Sequence, residues 1–151
     1  MVPTKTLKEL NCLKEFDDQQ IEKLAQISVE KTCPADSHVL KANEVADALY
    51  IVISGRVAIE IDLPRNRKIV IDFVERGDFF GWSALVSPYL MTASSLSVEE
   101  SVLIRIPREP LIRLMSEDIS IKASMMEMLT QVVATRLKDT RLQLTYLLGW
   151  D

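Results

Sequence analysis

The chain has 151 residues, 48% of them hydrophobic and 26% charged, which is one domain's worth with enough apolar mass to bury a core. Its formal net charge of −4 excludes the broad Lys and Arg footprint that nucleic-acid phosphates demand. No apolar run approaches the roughly 20 residues needed to cross a bilayer, and MVPTKTLKEL at the start lacks the apolar stretch of a signal peptide, so a cytoplasmic protein with no membrane partner is expected.

In chain order, Leu7, Leu10 and Leu13 open a short apolar-periodic segment. In FDDQQIEKLAQI, Asp17 is placed to cap a helix with Gln20 as its capping-box partner three residues on. Ile21, Leu24 and Ala25 make that helix's buried stripe, and Pro34, Ala35 and Asp36 break the pattern. The spacing predicts N-terminal helices over 1–36, a β region over 37–107 and C-terminal helices over 108–151, all in one domain.

From about residue 37 the apolar period becomes two, the mark of strands with one face in a core. LYIVI at 49–53 is continuously apolar and turns at Ser54-Gly55, where glycine supplies a positive φ. Val57, Ile59 and Ile61 alternate with Arg56, Ala58 and Glu60, and Ile69, Ile71 and Phe73 alternate with Lys68, Val70 and Asp72. LPRNR at 63–67 closes these two into a hairpin. Leu96 with Val98, then Val102, Ile104 and Ile106, carry the later strands around Glu99-Glu100. Many short strands at close spacing predict an antiparallel barrel or sandwich.

After Pro107 the period is helical again. Pro110 fits the first turn of a helix bearing Leu111 and Leu114, and Ser116 or Asp118 is placed to cap a final helix. There, Met126, Thr130, Val133, Leu137, Thr140, Leu144 and Leu147 follow a 4-3-4-3 spacing that keeps one seam toward a partner helix. A second apolar face, Met125, Met128, Leu129 and Val132, is confined to the first half. The first half is therefore expected to dock on the β region, while Val133, Leu137, Thr140, Leu144 and Leu147 pair with a second copy.

Chemistry-bearing residues are few. Cys12 and Cys33 have no CxxC spacing, so no zinc or iron–sulfur site is assembled from them, and two reduced, mostly buried thiols are expected. His38 is the only histidine, which reads as a strand or turn residue rather than a metal ligand. No metal site is expected. With no G-x-S-x-G elbow, phosphate-binding loop or Ser-His-Asp set, no catalytic residue and no enzyme activity are expected. The methionines at 115, 125, 126 and 128 read as adaptable packing.

VLKANEVADALYIVISGRVAI (39–59) followed by VERGDFFGWSAL (74–85) resembles the cyclic-nucleotide-binding domain of the catabolite activator and regulatory-subunit family. The order helix, β-roll, short helix, long helix resembles it over about residues 10–147. The resemblance implies a jelly-roll-like double-stranded β-helix with a long C-terminal dimerisation helix, and a phosphate-binding cassette after Gly81. A cyclic phosphate suits exposed helix N-terminal amides and an Arg that adds a charge-assisted bond, while a Glu after the Gly takes the ribose hydroxyl. Here that residue is Trp82, and the position matching the family's phosphate Arg is Thr92. No Lys or Arg occurs from Gly77 through Glu100.

Gly81, Trp82, Ser83, Ala84, Leu85, Thr92, Ala93 and Ser94, with Thr140 from the long helix, are thus the candidate ligand residues, and Ser95 offers a further hydroxyl. Hydrogen bonds to charged groups contribute roughly 1.5–3 kcal/mol each, so two missing groups weaken a cyclic nucleotide about 100- to 10,000-fold. Micromolar binding of cyclic AMP or cyclic GMP would show that a group outside the cassette, such as Arg56 or Arg141 of the long helix, has replaced the missing contact. Trp82 reads either as core filler or as a pocket ring, and Thr140 either as a contact to a purine or as a register residue in the seam. Family transcription factors continue into a DNA-reading helix-turn-helix; ending at Leu148-Gly149-Trp150-Asp151, this chain is expected to bind no DNA. Two functions remain: a stand-alone bacterial sensor domain that takes a cyclic nucleotide or another small ligand, with ordinary cyclic AMP and cyclic GMP held weakly or not at all, or an interaction module with a vestigial pocket and an unknown protein partner.

Overall fold

The computed structural model describes residues 1–149; Trp150 and Asp151 lie outside the described residues. Helix α1 (Thr4–Lys8) and a 3-10 turn (Asn11–Leu13) lead into α2 (Asp18–Ile27). The capping box forms as spaced: Asp17 Oδ1 accepts from the Gln20 N–H at 2.8 Å and Gln20 Oε1 accepts from the Asp17 N–H at 3.0 Å. The buried Gln20 amide then donates to Ser120 and Ser124, so one residue both starts α2 and ties it to the last helix.

Eight strands follow: β1 (Val29–Cys33), β2 (Ser37–Leu40), β3 (Ala48–Ser54), β4 (Val57–Leu63), β5 (Arg67–Val74), β6 (Phe79–Phe80), β7 (Ser94–Ser97) and β8 (Ser101–Pro107). They form two four-stranded antiparallel sheets, ordered β1-β8-β3-β6 and β2-β7-β4-β5. This is the mainly β, jelly-roll-like architecture expected. The continuous apolarity of β3 has a simple cause. Ala48, Tyr50 and Val52 join the cluster inside the roll with Val57, Val74, Phe80 and Leu103, while Leu49 and Ile51 face the helices with Ile104, Ile106, Leu7, Leu10 and Leu24. A strand buried on both faces has no polar side to show. At Gly55 φ is +93°, and a Cβ there would meet the Ser101 Cα at 2.6 Å, so the β3–β4 turn requires glycine.

Three expectations need correction. Strand structure begins at Val29, not 37: VEKTC pairs with β8 from Val29↔Arg105 to Cys33↔Ser101, and four of its five residues are exposed, so no buried face marks it in the sequence. Second, Ile69, Ile71 and Phe73 of β5 do not enter a core; with Val70 they are all exposed, because β5 is the edge strand of its sheet. Third, the buried residues of β7 are Ser94, Ser95 and Ser97, with Leu96 half-buried and Val98 beyond the strand. Those hydroxyls are partnered: Ser95 and Ser94 accept the Leu40 and Ala42 N–H groups at 3.1 and 2.9 Å.

Helix α3 (Arg108–Glu117) follows, and Asp118 caps the 29-residue α4 (Ile119–Leu147) by accepting from the Ser120 N–H at 3.0 Å. At 1.5 Å per residue α4 is about 43 Å long. Met125, Met128 and Leu129 of its first half are buried and Val132 packs against the helical cluster, as the two-faced pattern predicts. Val133, Leu137, Leu144 and Leu147 stand exposed in the single chain, Leu147 by 82%.

Candidate ligand site

The site is built where the sheet carrying β4 and β5, the segment after Gly81 and the second half of α4 converge. Gly81 has φ +81°, and a Cβ there would meet the Ala48 carbonyl oxygen and Leu40 Cδ1 at 3.0 Å. Its left-handed conformation aims the chain into a 3-10 turn, Trp82–Leu85. Ala84 is buried and its carbonyl oxygen accepts from Arg108 Nε at 2.9 Å, which fixes the turn against the start of α3.

A cavity of about 270 Å³ is lined by Ile59 and Ile71 of the sheet, Trp82, Thr92 and Ala93, and by Arg136, Asp139, Thr140 and Gln143 of α4, with Asp72 beside them. Of the sequence candidates, Trp82, Thr92, Ala93 and Thr140 therefore meet around one space. Gly81, Ser83, Ala84 and Leu85 form the turn behind it, and Ser94 is buried with its hydroxyl already accepting from Ala42. Trp82 serves both of its readings: its ring meets Phe79 edge-on at 6.3 Å and packs on the helical core, while part of it lines the cavity.

The cation that lines the cavity is Arg136 of α4. Arg56 pairs with Glu75 at 3.1 Å and lies over the Phe73 ring, and neither it nor Arg141 lines the cavity. The Arg136 guanidinium lies 5.2 Å from the Trp82 ring centroid and pairs with the Asp72 carboxylate. Gln143 Nε2 donates to the Ile71 carbonyl oxygen at 3.4 Å. Arg136, Thr140 and Gln143 are spaced i, i+4, i+7, one face of a helix, and that spacing from Thr140 is the signal that finds the other two. Asp72 and Asp139 have no such signal.

Elsewhere, His38 lies on β2 with Nε2 3.9 Å from Glu60, a strand residue as expected. Both cysteines are free. Burial, then the nearby Asp78 charge, pushes the Cys12 thiol up to about 12, and burial raises Cys33. Both are protonated at neutral pH, when thiolate is the reactive form. Among the described residues no cluster of metal-ligating side chains occurs and no helix is long and apolar enough to cross a membrane.

Comparison with known proteins places this geometry. The cyclic nucleotide-binding domain family matches residues 30–118. The chain is 29% identical over 118 residues, 78% of its length, to the CRP-like cAMP-activated global transcriptional regulator of Mycobacterium tuberculosis. It spans about half the length of the curated relatives it matches. Among solved structures it is similar to a chain of Geobacter metallireducens GS-15 assigned as a cyclic nucleotide-binding protein, with a TM-score of 0.80 and 25% identity over 91% of this chain and 99% of that one. The c-di-GMP-responsive global regulator of Xanthomonas campestris shares the fold, with a TM-score of 0.77 at 24% identity over 89% of this chain and 66% of that one. With the family's fold, its glycine-led turn and its long helix over the cavity all in place, this chain belongs to the cyclic nucleotide-binding domain family.

Proposed function

We propose that this chain is a regulatory sensor module, bacterial and cytoplasmic like the regulators it is related to, in which a small ligand between the β-roll and α4 alters the pairing of α4 with a second copy. Ordinary cyclic AMP and cyclic GMP bind it weakly or not at all. One observation carries the reading: the two positions that match the family's Glu and Arg hold Trp82 and Thr92, both lining the cavity, and the cation lining it is Arg136 of the helix. A cyclic phosphate at the cassette meets hydroxyls and backbone amides without a charged partner, and little surplus is left after ordering costs. The reading assigns no catalytic step to the module.

The exposed apolar seam Val133, Leu137, Leu144 and Leu147 supports pairing with a second copy, since such a row otherwise faces water. It equally favours a second reading, an interaction module whose pocket is vestigial. The double variant Trp82→Glu with Thr92→Arg separates the two. If the cassette backbone is competent, cyclic AMP affinity rises at least tenfold over the unmodified protein in calorimetry. No gain, in a variant that folds normally, favours the vestigial pocket.

A further inference from the structure

Arg136 lines the cavity from α4. Its partner Asp72 is held from behind, because Oδ1 accepts the Phe73 N–H at 2.7 Å and Oδ2 is the oxygen that meets Arg136 Nη1. A guanidinium carries five N–H donors in a planar fork, and among the described residues no other acceptor engages Arg136. The pair is partly solvated, with side-chain exposures of 21% and 35%, so holding it together contributes only about 0–1 kcal/mol. Arg136 is thus parked on Asp72 and free to share its fork.

The rest of the wall narrows what it shares it with. Ile59 and Ile71 give an apolar floor and the Trp82 indole a flat edge. One cation against the two carboxylates Asp72 and Asp139 gives the lining a formal charge of −1, which opposes a dianion more strongly than a monoanion, so an acidic ligand is held only where it takes Arg136 over from Asp72. The volume of about 270 Å³ lies just below the usual range for small-molecule sites, room for one or two rings.

We propose that the cavity binds a small planar monoanion, an aromatic monocarboxylate, whose carboxylate docks on Arg136 in place of Asp72 and whose ring lies on Ile59 and Ile71. The inference rests on the reading of this cavity as the sensor site. The ligand's charge is then read by the long helix itself rather than by the cassette.

The test uses 2-naphthoate and its neutral isostere 2-naphthamide, titrated by calorimetry and by Trp82 fluorescence in a Trp150→Phe background, since the chain has two tryptophans. Naphthoate is expected to bind at least tenfold more tightly than the amide, one charge-assisted bond being roughly 1.5–3 kcal/mol, or about 10- to 100-fold. Arg136→Met abolishes that preference. Asp72→Asn, which keeps the acceptor for Phe73 N–H and needs no repacking, tightens naphthoate about three- to tenfold and leaves the amide unchanged. Equal binding of acid and amide, or naphthoate affinity indifferent to both substitutions, overturns the inference while leaving the sensor reading intact. No binding of either probe overturns the inference as well, and the sensor reading is decided separately by the Trp82→Glu with Thr92→Arg variant.

Discussion

Arg108 Nε donates to the Ala84 carbonyl oxygen at 2.9 Å, which joins the first residue of α3 to the turn that follows Gly81. The same guanidinium lies 3.9 Å from the Tyr89 ring centroid, and the Arg108 N–H donates to the Asp47 carbonyl oxygen at 2.8 Å. The cassette, the loop after it and α3 are therefore clamped by one side chain, and α3 packs directly on α4. Arg108→Ala should cost about 1.5–3 kcal/mol, the range for a hydrogen bond with one charged partner. Amide exchange should rise selectively across residues 82–92. A uniform rise over the whole chain would show that the clamp is not local.

The seam on α4 gives the second prediction. Leu137 is 49% exposed at the middle of the row Val133, Leu137, Thr140, Leu144 and Leu147. A carboxylate there places charge in the paired apolar interface. Leu137→Asp should yield a monomer by light scattering with the helical circular dichroism largely kept, whereas an unchanged dimer mass would remove this seam from the account.

Gly81 gives the third. A Cβ at φ +81° carries the left-handed strain of about 1–2 kcal/mol, and its 3.0 Å approach to the Ala48 oxygen requires that neighbour to give by a few tenths of an ångström. Gly81→Ala should lower stability by about 2–3 kcal/mol in urea titration, visible as a lower midpoint at constant m value. A wild-type midpoint would mean that the turn adopts another conformation.

Acid stability turns on Asp118. Hydrogen bonds from Lys23 and Ser120 hold its carboxyl down to about 2, below the ordinary value near 3.9. Because the folded value is the lower one, the contribution is complete above the unfolded value and is lost as pH falls through the folded value. Asp118→Ala, which also removes the α4 cap, should melt several degrees below wild type at pH 7, and the gap should narrow between pH 4 and pH 2. A gap independent of pH would assign the effect to helix propensity alone.

Much of this was legible because its cause is local. The Asp17–Gln20 box, the Gly55 turn, the 63–67 hairpin and the Asp118 cap each depend on residues within a few positions of one another. Strand β1 was not, since its pairing partner β8 lies about 70 positions away and its own residues are exposed. The alternation in β5 misled because periodicity reports two unlike faces but not whether anything covers one of them. Within the site, Trp82, Thr92, Ala93 and Thr140 were legible through the family's motif and Arg136 through its helical spacing from Thr140, whereas Asp72 joins it only through a contact between α4 and β5 that no motif encodes.

With Arg136 of α4 as the cation lining the cavity and Trp82 and Thr92 at the two cassette positions, ordinary cyclic nucleotides should bind weakly. Calorimetric titration of the unmodified protein with cyclic AMP and with cyclic GMP tests it most directly. Dissociation constants weaker than roughly 100 µM are expected for both, following the roughly 100- to 10,000-fold loss expected without the two charged cassette groups. Micromolar binding of either nucleotide would contradict it.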